Sequence, residues 1–415
     1  MRSLHTRSFY TRRRKIMSGS VIVACVLTAA ACSSSGTSKS GGPSNNASAL
    51  KGAPIKVMLI RDGEGTPVNI PQIMDGAKAA LNAINNSGGI TGRPLVVDEC
   101  NSRLDPNAAA DCARRAVSGG YVAIVGSLTS NDAAIVPIVA AGHVPMIGLI
   151  PTSAAAYSSP DVFPINAGTS ARALAVTKQI TAAGAKKVGF LYLNVAAASA
   201  FVPVLKAGVT TSGGAAGKAV GVPAGAADMS SYVASALSDG ADGLVLFTTA
   251  SDALHMVQAI HNSGKSNVKI AFAVSSSDQL VKSLGGDADG LLTASMNRQT
   301  SETTYPGVKQ YGVEMKASGF DADSNEYAIN AWASVHLFAQ VAASVKTVRA
   351  ADIQTALGTA KYDSGGLFPT LDFSKPVTSL LISKGAPRIF TSQVEYVKVE
   401  HGAFKPTSDF VDLAG

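Results

Sequence analysis

Short apolar runs alternate with stretches of helical spacing along most of this chain. IKVMLI (55–60), PLVVDE (94–99), VAIVG (122–126) and PMIGLI (145–150) are apolar and rich in β-branched residues, the pattern of strands buried in a parallel sheet. Between the first two, Ile73, Ala77, Leu81 and Ile84 recur at three- and four-residue steps, which predicts a helix over 71–86 ended by Gly88-Gly89. Asp105-Pro106 has the form of a cap followed by proline in the first turn of a helix running to Val117, and residues 132–142 form the next helix.

The pattern restarts after Ser170. A helix to Ala183 precedes the strand KVGFLYL (187–193). Helices at 198–212, 228–238 and 252–263 then alternate with strands near 218–222, GLVLFT (243–248) and KIAFAV (269–274). Two more helices, 305–318 and 326–345, lead to QVEYVKVEHGAFKP, which alternates as a closing strand pair. Strand–helix alternation of this kind predicts an α/β protein built on two doubly wound parallel sheets. Roughly 365 residues follow residue 53, too many for one core, so two lobes are expected.

The first 53 residues stand outside that pattern. Arg2, Arg7, Arg12, Arg13, Arg14 and Lys15 precede an apolar run from Val21 to Ala31, too short to span a bilayer and shaped like the core of an export signal over 1–31. The Arg12-Arg13 pair leaves a twin-arginine route open beside the general one. Residues 32–53 are rich in Ser, Gly and Asn and predict a flexible tether. The chain is formally +7, and the six cations of the signal account for all but +1 of it. The body is therefore near neutral and gives no electrostatic footprint for nucleic acid.

Ala29-Ala30-Ala31 directly before Cys32 resembles the lipobox of bacterial lipoproteins, in which that cysteine is lipidated; Ala29 departs from the commoner Leu. Ordinary cleavage with a free Cys32 is the alternative. Of the other cysteines, Cys25 lies in the signal. Cys100 and Cys112, in an exported protein, point to a disulfide, with two buried thiols or a zinc site as the other readings.

The segment AINNSGGITGRPLVVDECNSRLDPNAAADCARRAV (83–117) resembles the leucine/isoleucine/valine-binding protein family of type I periplasmic binding proteins. It has a Gly88-Gly89-Ile90 turn, Gly92-Arg93 before a strand, Asp98, and Asp105-Pro106 opening a helix, in the family's order. The resemblance covers roughly 54–405 and includes the Cys100–Cys112 pairing seen in some members. VAIVGSLTSNDAAIVP (122–137) adds a strand, a hydroxyl-rich turn and a helix start. Ser127, Thr129 and Ser130 with the helix amides suit a carboxylate; plain helix capping is the other reading. The resemblance implies that Ser130 and Thr152 hold a ligand carboxylate.

The second half departs from the amino-acid binders. Ala198 stands where members place a tyrosine, Thr249 and Ala250 where they place another aromatic, and Ser275-Ser276-Ser277 where they place an acid for the ligand ammonium, with Asp278 slightly late. Smaller residues widen the pocket. The expected ligand is therefore a carboxylate-bearing molecule, either like a branched-chain amino acid or a bulkier aromatic or alicyclic acid, with Thr249, Ser275 and Asp278 as candidate contacts beside Ala198.

The resemblance implies two Rossmann-like lobes joined by a three-segment hinge: 54–169 with 297–350, and 170–296 with 351–415. It also implies the solute-binding component of an ABC importer, working with a membrane permease and anchored to the outer face of the cell membrane through lipid alone. A ligand-sensing receptor subunit of the same fold is the alternative. No nucleophile–base pair, metal motif or phosphate loop is visible, so neither catalysis nor a cofactor is expected. A monomer is expected.

Overall fold

The computed structural model describes residues 50–66, 69–265, 267–273, 278–323, 325–378 and 388–414. In chain order β1 (Ile55–Arg61), α1 (Gln72–Asn86), β2 (Leu95–Asn101), α2 (Pro106–Ser118), β3 (Ala123–Val125), α3 (Asp132–Ala141), β4 (Met146–Ile147), α4 (Ala154–Ser158) and β5 (Val162–Phe163) build the first half. The strands pair in the order β2-β1-β3-β4-β5, every pair parallel. The apolar runs of the sequence become its centre: Val57, Met58, Leu59 and Ile60 are buried on both faces.

The second half runs α5 (Gly168–Ala182), β6 (Lys187–Leu193), α6 (Ala196–Ser199), α7 (Val202–Thr211), β7 (Ala215–Val222), α8 (Ser230–Leu237), β8 (Gly243–Phe247), α9 (Ala250–Asn262), β9 (Lys269–Phe272), α10 (Asp278–Leu284) and β10 (Leu292–Ser295). The chain continues through α11 (Pro306–Ala317), α12 (Glu326–Ser344), α13 (Ala350–Leu357), the small antiparallel pair β11 (Lys361–Tyr362) and β12 (Leu371–Asp372), then β13 (Gln393–Glu400) and β14 (Ala403–Asp412). The second sheet is ordered β14-β13-β10-β9-β8-β6-β7. Its β7-to-β10 part is parallel, and the closing pair β13 and β14 is added antiparallel.

The chain thus forms an α/β fold of two lobes. Its cores assign the segments. α11, α12 and α13 contribute Tyr311, Trp332, Phe338 and Ile353 to the core of the first sheet. Leu371, Phe373 and Phe390 join the same core, as do Leu357 and Tyr362, all of which the sequence division had placed with the second lobe. The reason is burial: the amphipathic α13 and the strands after it cover the face of α12 left open by the first sheet. The chain crosses between lobes after β5, after β10 and ahead of β13.

Local chemistry explains several joints. Asp105 caps α2 by accepting the Ala108 amide at 2.8 Å, with Pro106 in the first turn. Cys100, on β2, and Cys112, on α2, form a disulfide with Cα atoms 5.8 Å apart. Gly126 leaves β3 with φ +58, and a Cβ there would lie 2.7 Å from the Ala331 Cα of α12. Only glycine lets the turn toward Ser130 form while α12 packs this closely.

Candidate functional site

Ligands of open α/β sheets bind beyond the carboxyl ends of the strands, and here both sheets present those ends to one cavity of about 490 Å³. Asp62, after β1, and Leu128 and Ser130, after β3, form one wall with Ile70 and Ile73. Leu193 at the end of β6, Ala198 in α6, Phe247 at the end of β8 and Thr249 form the other. Thr169, Asn325 and Tyr327 close the side nearest the crossing segments. The enclosure is mainly apolar, with amide and hydroxyl groups set into it. Among the described residues that line it, Asp62 is the one carboxylate, and there is no lysine, arginine or histidine.

The hydrogen bonds of the Ser130 turn differ from the expected anion grip. Asp62 Oδ2 accepts the Ser130 amide at 2.8 Å. Asp62 Oδ1 accepts the hydroxyls of Ser102 at 2.6 Å and Thr129 at 3.1 Å, and the Leu104 amide at 3.2 Å. Asp132, fully buried in the first turn of α3, accepts the amides of Thr152 at 2.7 Å and Ser153 at 3.2 Å through Oδ2. The protein's own carboxylates therefore occupy main-chain donors that were expected to face a ligand.

The predicted residues divide accordingly. Ser130, Thr249 and Ala198 line the cavity. The Thr249 hydroxyl is committed to capping α9, accepting the Asp252 amide at 3.2 Å and donating to Asp252 Oδ2 at 2.9 Å. Ser127 and Thr129 do not reach the cavity: Ser127 is buried and accepts the Ile60 amide, and Thr129 is buried behind Asp62. Strand-end alternation turns these two inward and leaves Leu128 and Ser130 facing the cleft. Thr152 lies outside the lining, its hydroxyl toward the Thr129 carbonyl at 3.5 Å. Asp278 begins α10 beside Gln279, which lines the cavity, but is not itself among the lining residues. Ser275 and Cys32 lie outside the described residues.

Asp62, Phe247 and Tyr327 were missed from sequence. Asp62 directly follows a buried strand, the position where site residues gather, and that signal was available. Tyr327 is delivered by α12, whose contact with the cleft no local pattern announces. Burial raises the pKa of its hydroxyl, against the opposing charge of Arg172. Beside it, Arg172 of α5 pairs with Glu326 of α12, both buried. Glu326 Oε1 also accepts the Met296 amide at 2.8 Å and the Ser295 hydroxyl at 3.0 Å. A single carboxylate thus ties the first-lobe helix α12 to two elements of the second lobe.

Among the described residues no three His, Cys, Asp or Glu side chains are placed to hold a metal ion, and no helix is long and apolar enough to cross a membrane.

Solved structures share this fold over most of the chain. A possible leucine/isoleucine/valine-binding protein from Rhodopirellula baltica superposes with a TM-score of 0.73 at 15% identity, over 86% of this chain and 97% of that one. Two ABC-transporter solute-binding proteins from R. palustris each give 0.71. One, in complex with 4-hydroxybenzoate, is 17% identical over 87% of this chain and 98% of its own; the other, in complex with benzoate, is 16% identical over 86% and 97%. No curated protein matches the chain. The family model for periplasmic binding proteins matches residues 58–379, from β1 past β12, taking in the first sheet, the parallel part of the second and every wall of the cavity. Two parallel sheets opening on one cleft, matched across that length, make this chain a member of the periplasmic binding protein family, whose type I fold it has.

Proposed function

We propose that the chain is the extracytoplasmic solute-binding component of an ABC importer and holds a small organic solute in the cleft between its lobes. The observation that carries the reading is the cavity of about 490 Å³, bounded by the strand ends of both sheets and lined by apolar side chains interspersed with hydroxyl and amide groups. That volume suits a drug-sized or smaller ligand largely hidden from water. Ala198 and Phe247 both line the cavity, a small side chain and an aromatic face, and the relatives that hold 4-hydroxybenzoate and benzoate support an aromatic or alicyclic solute. A carboxylate gripped at Ser130 and Thr152 is not part of the proposal, since the amides there are bonded to Asp62 and Asp132. Hinge rotation about the three crossings would bury the solute and create the surface a permease recognises. Cys32 would carry the lipid that keeps the protein at the membrane.

Native mass spectrometry of the full-length protein, extracted from membranes with detergent, tests both parts. The expected result is a bound small molecule released on denaturation, from a chain that begins at Cys32 and carries a diacylglyceryl mass there. Protein that arrives empty, and that no member of a solute library stabilises against heat, would overturn the binding role.

A further inference from the structure

The wall built from the first lobe carries a fixed negative charge, and its neutralising groups are spoken for. Asp62 lines the cavity. Two nearby cations are already paired: Arg61 with Glu99 at 2.6 Å, while it also donates to Asn69 at 2.8 Å, and Arg172 with Glu326. Neither lines the cavity. The main-chain donors of the Ser130 and Thr152 turns are bonded to Asp62 and Asp132. An anion brought to this wall would give up its hydration, meet a like charge and find those donors taken. A donor group meets the opposite situation. Among the described residues Asp62 Oδ2 accepts a single hydrogen bond, from Ser130, and a carboxylate oxygen has capacity for a second. Phe247 and Tyr327 lie in the same enclosure, and aromatic faces attract a cation.

We propose that Asp62 determines ligand specificity: the cleft takes a small organic solute that directs an ammonium or hydroxyl group at Asp62 and rejects one whose sole polar group is a carboxylate. The inference rests on the cleft being the solute site, and the test separates the two.

Ring-matched probes are titrated against the full chain by calorimetry and thermal shift: benzylammonium, benzyl alcohol and benzoate, with their cyclohexyl counterparts. The expected result is binding of the ammonium or alcohol members at least tenfold tighter than of the matched carboxylates. In Asp62→Asn the preference for the ammonium should fall at least tenfold. Asp62 also holds Ser102, Thr129 and Leu104, so that variant risks misfolding. Ser130→Lys, at an exposed lining position, supplies a second route: it sets a cation beside Asp62 and should lose benzylammonium while gaining benzoate. Carboxylates binding the natural chain as tightly as their matched partners would overturn the charge assignment and leave the solute-binding role standing. No binding by any probe, together with protein that arrives empty from the membrane, would overturn both.

Discussion

At Gly126 the backbone leaves β3 in the left-handed region and passes within van der Waals distance of α12. Gly126→Ala would set a Cβ 2.7 Å from the Ala331 Cα, where backbone and not a mobile side-chain end must give way. We expect a loss of about 2–4 kcal/mol, combining overpacking with the left-handed strain, read as a lowered midpoint in urea unfolding. An unchanged midpoint would show that α12 shifts freely. The glycine was visible in the sequence as the end of a strand, but its neighbour, about two hundred positions away, was not. Ser127 and Thr129 illustrate the same limit. Their hydroxyls suited a ligand as well as a cap, and only the turn's orientation decided that both face inward while Ser130 lines the cleft.

Among the elements, α12 does the joining. It packs on the first sheet through Ile329 and Trp332, lends Tyr327 to the cleft, and sends Glu326 across to Arg172 on α5 and to the end of β10. Arg172→Met would leave the buried Glu326 without its cation. Breaking such a pair typically costs about 3–5 kcal/mol, well above the effect of a surface ion pair. Denaturant unfolding should show a loss of that order, and the double variant Arg172→Met with Glu326→Leu should recover much of it. A single variant as stable as the natural chain would mean that water reaches the site. The existence of α12 was legible, because most of its nineteen residues are small or apolar and no glycine or proline interrupts them. The strand β5 was harder: with two residues it carries no period, and pairing with β4 defines it.

Over the whole molecule, the second crossing holds a charge network spanning the lobes. Arg298, just after β10, donates to Glu302 at 3.1 Å and Glu395 at 3.1 Å, pairs with Asp409, and lies over the Tyr305 ring at 3.8 Å. Burial, reinforced by the charge of Glu302, pushes the Glu395 carboxyl from its ordinary 4.5 up to about 8, although Arg298 works against it. A carboxyl raised in the folded state binds its proton more tightly there than in the unfolded chain. Its stabilising contribution is therefore complete below about pH 4.5 and is lost as pH rises through about 8. Chemical unfolding measured from about pH 5 to pH 9 should show stability falling, and Glu395→Gln, which keeps the shape, should flatten that fall. A variant as steep as the natural chain would place the titration elsewhere.

Period, length and punctuation settle a good deal of this fold by themselves. Apolar runs of strand length between helical stretches, Asp105-Pro106, the Gly88-Gly89 turn and the closing strand pair are local facts, and local sterics and burial enforce them. They were enough for two parallel α/β sheets and for a family resemblance. The ligand-facing chemistry belonged to the tertiary structure alone. Asp62 and Ser130 are 68 positions apart, and Asp132 and Thr152 are 20 apart. Whether an amide is free for a solute or already held by the protein's own carboxylate depends on which loops the sheet sets side by side, and no reading of neighbouring residues contains that distance.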